Sequence, residues 1–133
     1  MTNLINDLNW RYATKIFDKT KKVSDEDINE IIEAFRLTSS SFGMQPWKMI
    51  LVENQNIKDL LVEHSFGQTQ ISDCSHLFVL CRIENIDNNF VSKNIENIAK
   101  TRNILSENLS WLETMINWFL SRLNEEGIKK WAS

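Results

Sequence analysis

The stretch Ser39–Asn54, SSSFGMQPWKMILVEN, decides how this chain is read. It sets three serines, a glycine, a glutamine and the one proline directly before an apolar run. Proline cannot donate to a strand ladder, so it suits a strand entrance. Lys48–Glu53 is therefore read as a strand fed by a small polar loop. The hydroxyls, the backbone N–H groups and Gly43 equip that loop to approach a ligand closely. Taken alone, it is equally an ordinary connection behind a helix.

Working outward, Ser24 opens SDED, with Asp27 at the capping-box position and acidic residues in the first turn. Ile28, Ile31, Ile32 and Phe35 follow at helical spacing, which predicts a helix over 25–37. Thr2 or Asn3 caps a short first helix with Leu4, Ile5 and Leu8 on one face, and 11–18 leaves it extended or in a turn. Beyond the strand, Asn54 caps a helix with Ile57, Leu60, Leu61 and His64 on one side. Residues 65–72 read as a second polar loop. His76–Ile83, HLFVLCRI, has the pattern of a strand buried on both faces, although its length also allows a short helix. Residues 85–90 are a turn-rich break. From 92 to 124 the spacing of Ile95, Ile98, Arg102, Leu105, Leu109, Leu112, Ile116 and Leu120 is helical. It suits one kinked helix or two helices, with the break at 106–110. Gly127 reads as a C-cap. Only two strands are evident, which is a poor sheet by itself.

With 133 residues, 42% apolar and 25% charged, the chain is one domain's length and of ordinary globular composition. The formal charge of −3 offers no basic excess for nucleic acid or an acidic membrane. No apolar run approaches the roughly 18–20 residues of a membrane span. Cys74 and Cys81, with no signal-peptide pattern ahead of them, suggest a reducing cytoplasm. Lys19, Lys21 and Lys22 read as a solvated turn.

Several chemistries find no residues. No HExxH, CxxC, Walker A, GxGxxG or GxSxG motif occurs, and no carboxylate pair stands out for acid–base work. Cys74 and His76 do not make a metal site, and His76 reads as a strand-entry residue meeting backbone groups. Three polar segments remain, each beside a predicted buried element. Arg11–Lys15, RYATK, offers a guanidinium fork and a point charge, though both also read as plain surface cations. Ser39–Gln45 offers hydroxyls and backbone donors. Gly67–Gln70, GQTQ, offers two amides that can read ring edges.

Taken together, these segments resemble a known family. RYATKIFD looks like the N-terminal flavin-contact segment of the FMN-dependent nitroreductases. SSSFGMQPWKMILVE is similar to their serine-rich loop and first core strand. FGQTQISDCSHLFVLC resembles their next loop, Asp-x-Ser-His turn and following strand. The likeness is detailed from Leu8 to Arg82 and looser through the helices to Trp131.

The resemblance implies an α+β, nitroreductase-like fold, with helices around a small central sheet that is incomplete in this chain. It implies a single domain over 1–133, the N-terminal portion of that fold. The implied activity is ping-pong transfer from NADH or NADPH through FMN to a nitroaromatic or quinone-like acceptor. The flavin carries the chemistry, so no catalytic side chain and no metal is expected. The implied contacts are Arg11 on the phosphate or ribityl side, Tyr12 and Ala13 beside it, and Lys15 near N1 and O2. Ser40 and Ser41 would reach the flavin from the partner of a homodimer. Phe42 would lie on the nicotinamide or substrate side, with Gln70 at the ring edge. At Gly67 many relatives carry asparagine, so one contact is altered.

Family members continue beyond the segment matching IKKWAS, and the resemblance therefore implies truncation, with a homodimer or a complementary C-terminal fragment as partner. The alternative is a flavin-free remnant, or a helical module that dimerises through its apolar stripe.

Overall fold

The computed structural model describes residues 3–132. Asn3 caps α1 (Leu4–Trp10) by accepting from the Ile5 N–H at 3.2 Å; Thr2, the other candidate cap, lies outside the described residues. The apolar face of α1 is bare, with Leu4 67%, Ile5 62% and Leu8 51% exposed. Residues 11–18 form neither helix nor strand and bend at Lys15. Then α2 spans Asp25–Leu37, β1 Trp47–Val52, α3 Gln55–Glu63, α4 Gln70–Asp73 and β2 Leu77–Arg82. The remainder is helical: α5 (Asn88–Arg102), α6 (Ser110–Ser121) and α7 (Glu125–Trp131), with 3-10 turns at Ser41–Gly43 and Ser106–Leu109.

β1 and β2 form a two-stranded antiparallel sheet. The Ile83 N–H donates to the Pro46 carbonyl at 2.8 Å, a register that sets Trp47 opposite Arg82 and Met49 opposite Leu80. β2 is not buried on both faces: Leu77, Phe78, Val79 and Cys81 are half-buried, Arg82 is exposed and Leu80 is 67% exposed. Two strands cannot cover each other's faces, so the apolar run stays partly open.

The chain resolves into two compact units, residues up to Glu30 with Leu51–Val79, and Ile31–Ile50 with residues from Leu80 on. The second unit has the apolar core. Val91, Ile95 and Ala99 of α5 pack with Ile116 and Leu120 of α6, Met44, Ile86, Leu109 and Ala132. Helical spacing on both helices places these side chains on facing stripes. Asn103, left-handed at φ 53°, ends α5, because asparagine tolerates that conformation as a helix stop. The predicted break at 106–110 is the 3-10 turn that follows it.

The first unit is organised differently. Among its described residues only Ile28 and Lys58 are fully buried. Lys58 has 0% exposure, and its Nζ donates to the Cys74 carbonyl at 2.6 Å and to that of Ser75 at 3.5 Å. The inward face of α3 is thus Lys58 with Leu61 and Val62. Ile57 and Leu60, read from the sequence as sharing one side with Leu61 and His64, are 48% and 67% exposed. Gln55 reaches across to the Ser72 carbonyl at 3.0 Å, and Lys19 pairs with Asp73 at 2.8 Å. The expected polar loop at 65–72 therefore closes into α4, whose turn these side chains hold.

Gly127 does not end a helix. It lies in the first turn of α7, where its N–H donates to Asn124 Oδ1 at 2.8 Å. A Cβ there would meet Asn124 Oδ1 at 3.2 Å and Leu123 Cβ at 3.3 Å, so the cap itself favours glycine.

Candidate functional site

In the first unit, Arg11 closes α1, its N–H donating to the Asp7 carbonyl at 3.1 Å, and the chain continues outside helix and strand from there. Arg11, Tyr12, Ala13 and Lys15 are all exposed, Tyr12 at 79%. Among the described residues, neither Arg11 nor Lys15 pairs with a carboxylate. Two cations thus stand four residues apart, without a counter-charge among the described residues, on an irregular segment that bends at Lys15.

The third predicted segment also lies in the first unit. Phe66 and Gly67 are both left-handed, at φ 55° and 69°, and the Gly67 N–H donates to the Val62 carbonyl at 3.0 Å. This turn ends α3 and leaves Phe66 99% exposed. Gln70 starts α4 half-buried. No hydrogen bond or ion pair joins Arg11–Lys15 to Gly67–Gln70 among the described residues.

The Asp73–His76 turn is a structural rivet. Ser75 Oγ accepts from the Val23 N–H at 2.9 Å and lies 2.8 Å from His76 Nδ1. The His76 ring, 8% exposed, meets Glu53 Oε1 at 3.3 Å through Nε2. Side chains, not backbone groups, are therefore its partners. One assignment satisfies all three groups: Ser75 O–H donates to Nδ1, and Nε2–H donates to Glu53. Nearby, hydrogen bonds from Ser72 and Gln55, then the charges of Lys19 and Lys58, hold the Asp59 carboxyl below its ordinary range. Among the described residues, no cluster of His, Cys, Asp or Glu could hold a metal.

Ser40, Ser41 and Phe42 belong to the second unit. Ser40 Oγ accepts from the Gln45 N–H at 2.8 Å, so it braces its own loop. Gln45 sends its amide back to the carbonyls of Arg36, at 2.9 Å, and Thr38, at 3.3 Å, capping the end of α2. Phe42, Gly43 and Gln45 all have positive φ, at 55°, 68° and 43°. Left-handed backbone costs about 1–2 kcal/mol at a residue with a Cβ, so this loop is held against strain. Packing holds it: the Phe42 ring lies 5.3 Å from Phe119 and 6.4 Å from Trp131. Asn94 Nδ2 adds a hydrogen bond to the carbonyl of buried Met44 at 3.0 Å. Ser41 stays exposed.

The sequence reading missed Lys58, because a lysine beside an apolar stripe looks like a surface residue. It also missed a cavity of about 570 Å³ beside the serine loop, bounded by Arg36 and, on α5, by Asn97, Thr101 and Arg102.

Known proteins resemble this chain in sequence and fold. The model of the nitroreductase family matches residues 8–114. The chain is 34% identical to the Staphylococcus haemolyticus protein named "Putative NAD(P)H nitroreductase SH0546", over 98% of this chain and 62% of that one. It is 45% identical to "Putative NAD(P)H nitroreductase YfkO" of Bacillus subtilis, over 59% of this chain and 36% of that one. Among solved structures, putative nitroreductase ydfN of Bacillus subtilis superposes with a TM-score of 0.80 at 21% identity, covering 99% of this chain and 63% of that one. A putative nitroreductase from Exiguobacterium sibiricum, solved in complex with FMN, gives a TM-score of 0.77 at 19% identity, covering 99% of this chain and 63% of that one. The chain belongs to the nitroreductase family, and its fold is nitroreductase-like and helix-rich. It spans about three fifths of the length of SH0546 and of these two solved structures.

Proposed function

We propose that this chain forms the FMN-binding part of an NAD(P)H-dependent oxidoreductase. The observation that carries the reading is the uncompensated pair Arg11 and Lys15, inside the stretch matched by the family model. A donor set of two exposed cations, neither paired with a carboxylate among the described residues, fits a ligand with a phosphate and an anion-forming ring. The names of the relatives and the FMN in one structural neighbour support the same ligand.

In this reading Arg11 binds the phosphate or ribityl side, and Tyr12 and Ala13 line it. Lys15 holds negative charge at the N1–O2 edge. The left-handed turn at Gly67 and the amide of Gln70 face the ring edge. Ser40 and Ser41 come from the second copy of a homodimer; Ser40 keeps its O–H to donate while its oxygen braces the loop. Phe42 borders the nicotinamide or substrate side. FMN bound here would supply two-electron chemistry between NADH or NADPH as hydride donor and a nitroaromatic or quinone-like acceptor. The two half-reactions alternate in a ping-pong cycle, for which the chain's own groups position the ring and stabilise its charge.

The bare apolar face of α1 supports the dimer, since exposed Leu4, Ile5 and Leu8 gain by burial against a second chain. No helix among the described residues is long and apolar enough to cross a membrane, and the residues read as a cytoplasmic protein. The test is spectral. NADH or NADPH should bleach the flavin absorbance of the FMN-loaded chain, and a nitroaromatic should restore it. Flavin absorbance indifferent to both nucleotides would sink the oxidoreductase reading.

A further inference from the structure

Helix α6 lies within the second unit and is apolar outward as well as inward. Ile116 and Leu120 are buried in the core. Trp111, Met115 and Trp118 stand away from it, 63%, 37% and 56% exposed. At 3.6 residues per turn these three side chains fall within about 60° of one another, and Arg122 falls on the same stripe. A helix that is apolar on both sides is normally covered on both.

The charges at the two ends of the stripe point to what covers it. Arg122 stacks on Trp118, its guanidinium carbon 4.5 Å from the ring centre, and pairs with no carboxylate among the described residues. Glu107, exposed in the 3-10 turn that leads into α6, pairs with no cation among them. Glu107 precedes Trp111 by four residues, and Arg122 follows Trp118 by four. The stripe therefore runs acid, ring, ring, base. Turned end for end it matches itself, with ring opposite ring and acid opposite base.

We infer that the outer face of α6 pairs with the same face of a second copy of the chain, antiparallel about a two-fold axis beside Thr114 and Met115. Trp111 of each copy meets Trp118 of the other, and Glu107 of each meets Arg122 of the other. A two-fold axis makes every such contact twice. This face is separate from α1, so the chain carries two self-matching surfaces, and the pairing is independent of the flavin reading. Two tryptophans and a methionine cover about 350 Å² per copy, about 700 Å² in all, which is below the roughly 1,200 Å² of a stable interface. The association is therefore weak and concentration-dependent.

Sedimentation velocity of the full chain over about a hundredfold range of concentration tests it. The homodimer proposed above uses α1, so the series is run in Leu4→Ser, Leu8→Ser, which silences that face. In this background the chain should still pass reversibly from monomer to dimer, with tryptophan emission moving to shorter wavelength as Trp111 and Trp118 are covered. Arg122→Glu or Glu107→Arg alone should weaken the pairing at least about tenfold, because each replaces two attractive pairs with two repulsive ones. Both changes in one chain should recover most of it, since acid and base have merely changed ends. Pairing indifferent to Arg122→Glu, or no recovery in the combined variant, would overturn the inference. A monomer at every concentration in the α1 background, with a dimer once Leu4 and Leu8 are restored, would leave the α1 dimer standing and overturn this one.

Discussion

Replacing Lys58 by methionine isolates the least expected feature of the first unit. Lys58 has 0% exposure, and its amine lies 2.6 Å from the Cys74 carbonyl and 3.5 Å from that of Ser75. Methionine keeps most of the apolar stem and removes only the charged donor. A hydrogen bond to a charged group contributes roughly 1.5–3 kcal/mol, and its loss leaves a carbonyl without a donor. Relief of the amine's desolvation offsets part of this. The net expectation is a loss of about 2 kcal/mol. Lys58→Ala also discards three buried methylenes at roughly 0.8 kcal/mol each, for a total of about 4 kcal/mol. Urea unfolding followed by circular dichroism measures both. At an m-value near 1.5 kcal/mol/M the methionine variant's midpoint should fall by about 1.3 M. Hydrogen exchange at the Val23 amide, which donates to Ser75 Oγ, should quicken in the same variant. A methionine variant within about 0.5 kcal/mol of the parent would refute the reasoning, because apolar packing alone would then explain the burial.

Gly67→Ala should cost about 1 kcal/mol in the same assay, because φ is 69° and a Cβ meets nothing within 4 Å, leaving only the backbone term; a loss above about 3 kcal/mol would reveal a contact absent from this picture. The Asp59 carboxyl is held down first by Ser72 and Gln55. A depressed folded value gives stability that is present above the unfolded value of about 3.9 and is lost as pH falls through the folded one. Asp59→Asn should therefore flatten the acid limb of stability against pH, and an unchanged limb would contradict the assignment.

What was legible depended on whether local chemistry alone decided the outcome. Helix α2 starts where Ser24 accepts from the Asp27 N–H at 3.1 Å, and α3 follows Asn54 in the same way, because caps are local. Strand bounds moved by a residue. Three features were not legible. The inward face of α3 turns on Lys58, whose amine finds carbonyls sixteen and seventeen residues away. The left-handed residues Phe42, Gln45 and Phe66 are not glycines, so nothing in their identity announces positive φ. Arg102 fell on the apolar spacing of the long helical stretch, and only the folded chain shows a cavity beside it. For the candidate site, the order of the three polar segments was readable. The use of Ser40 and Phe42 to brace their own loop depends on Gln45, Phe119 and Trp131, and required the tertiary structure.

The central claim is that Arg11 and Lys15 hold FMN. Equilibrium titration of the full chain with FMN, read by quenching of flavin fluorescence, tests it most directly. The account predicts saturable binding, weakened at least about tenfold in the Arg11→Ala, Lys15→Ala double variant while its urea midpoint stays unchanged, since both residues are exposed and make no ion pair among the described residues. No saturable FMN uptake by the parent chain, or equal affinity in the double variant, would contradict it.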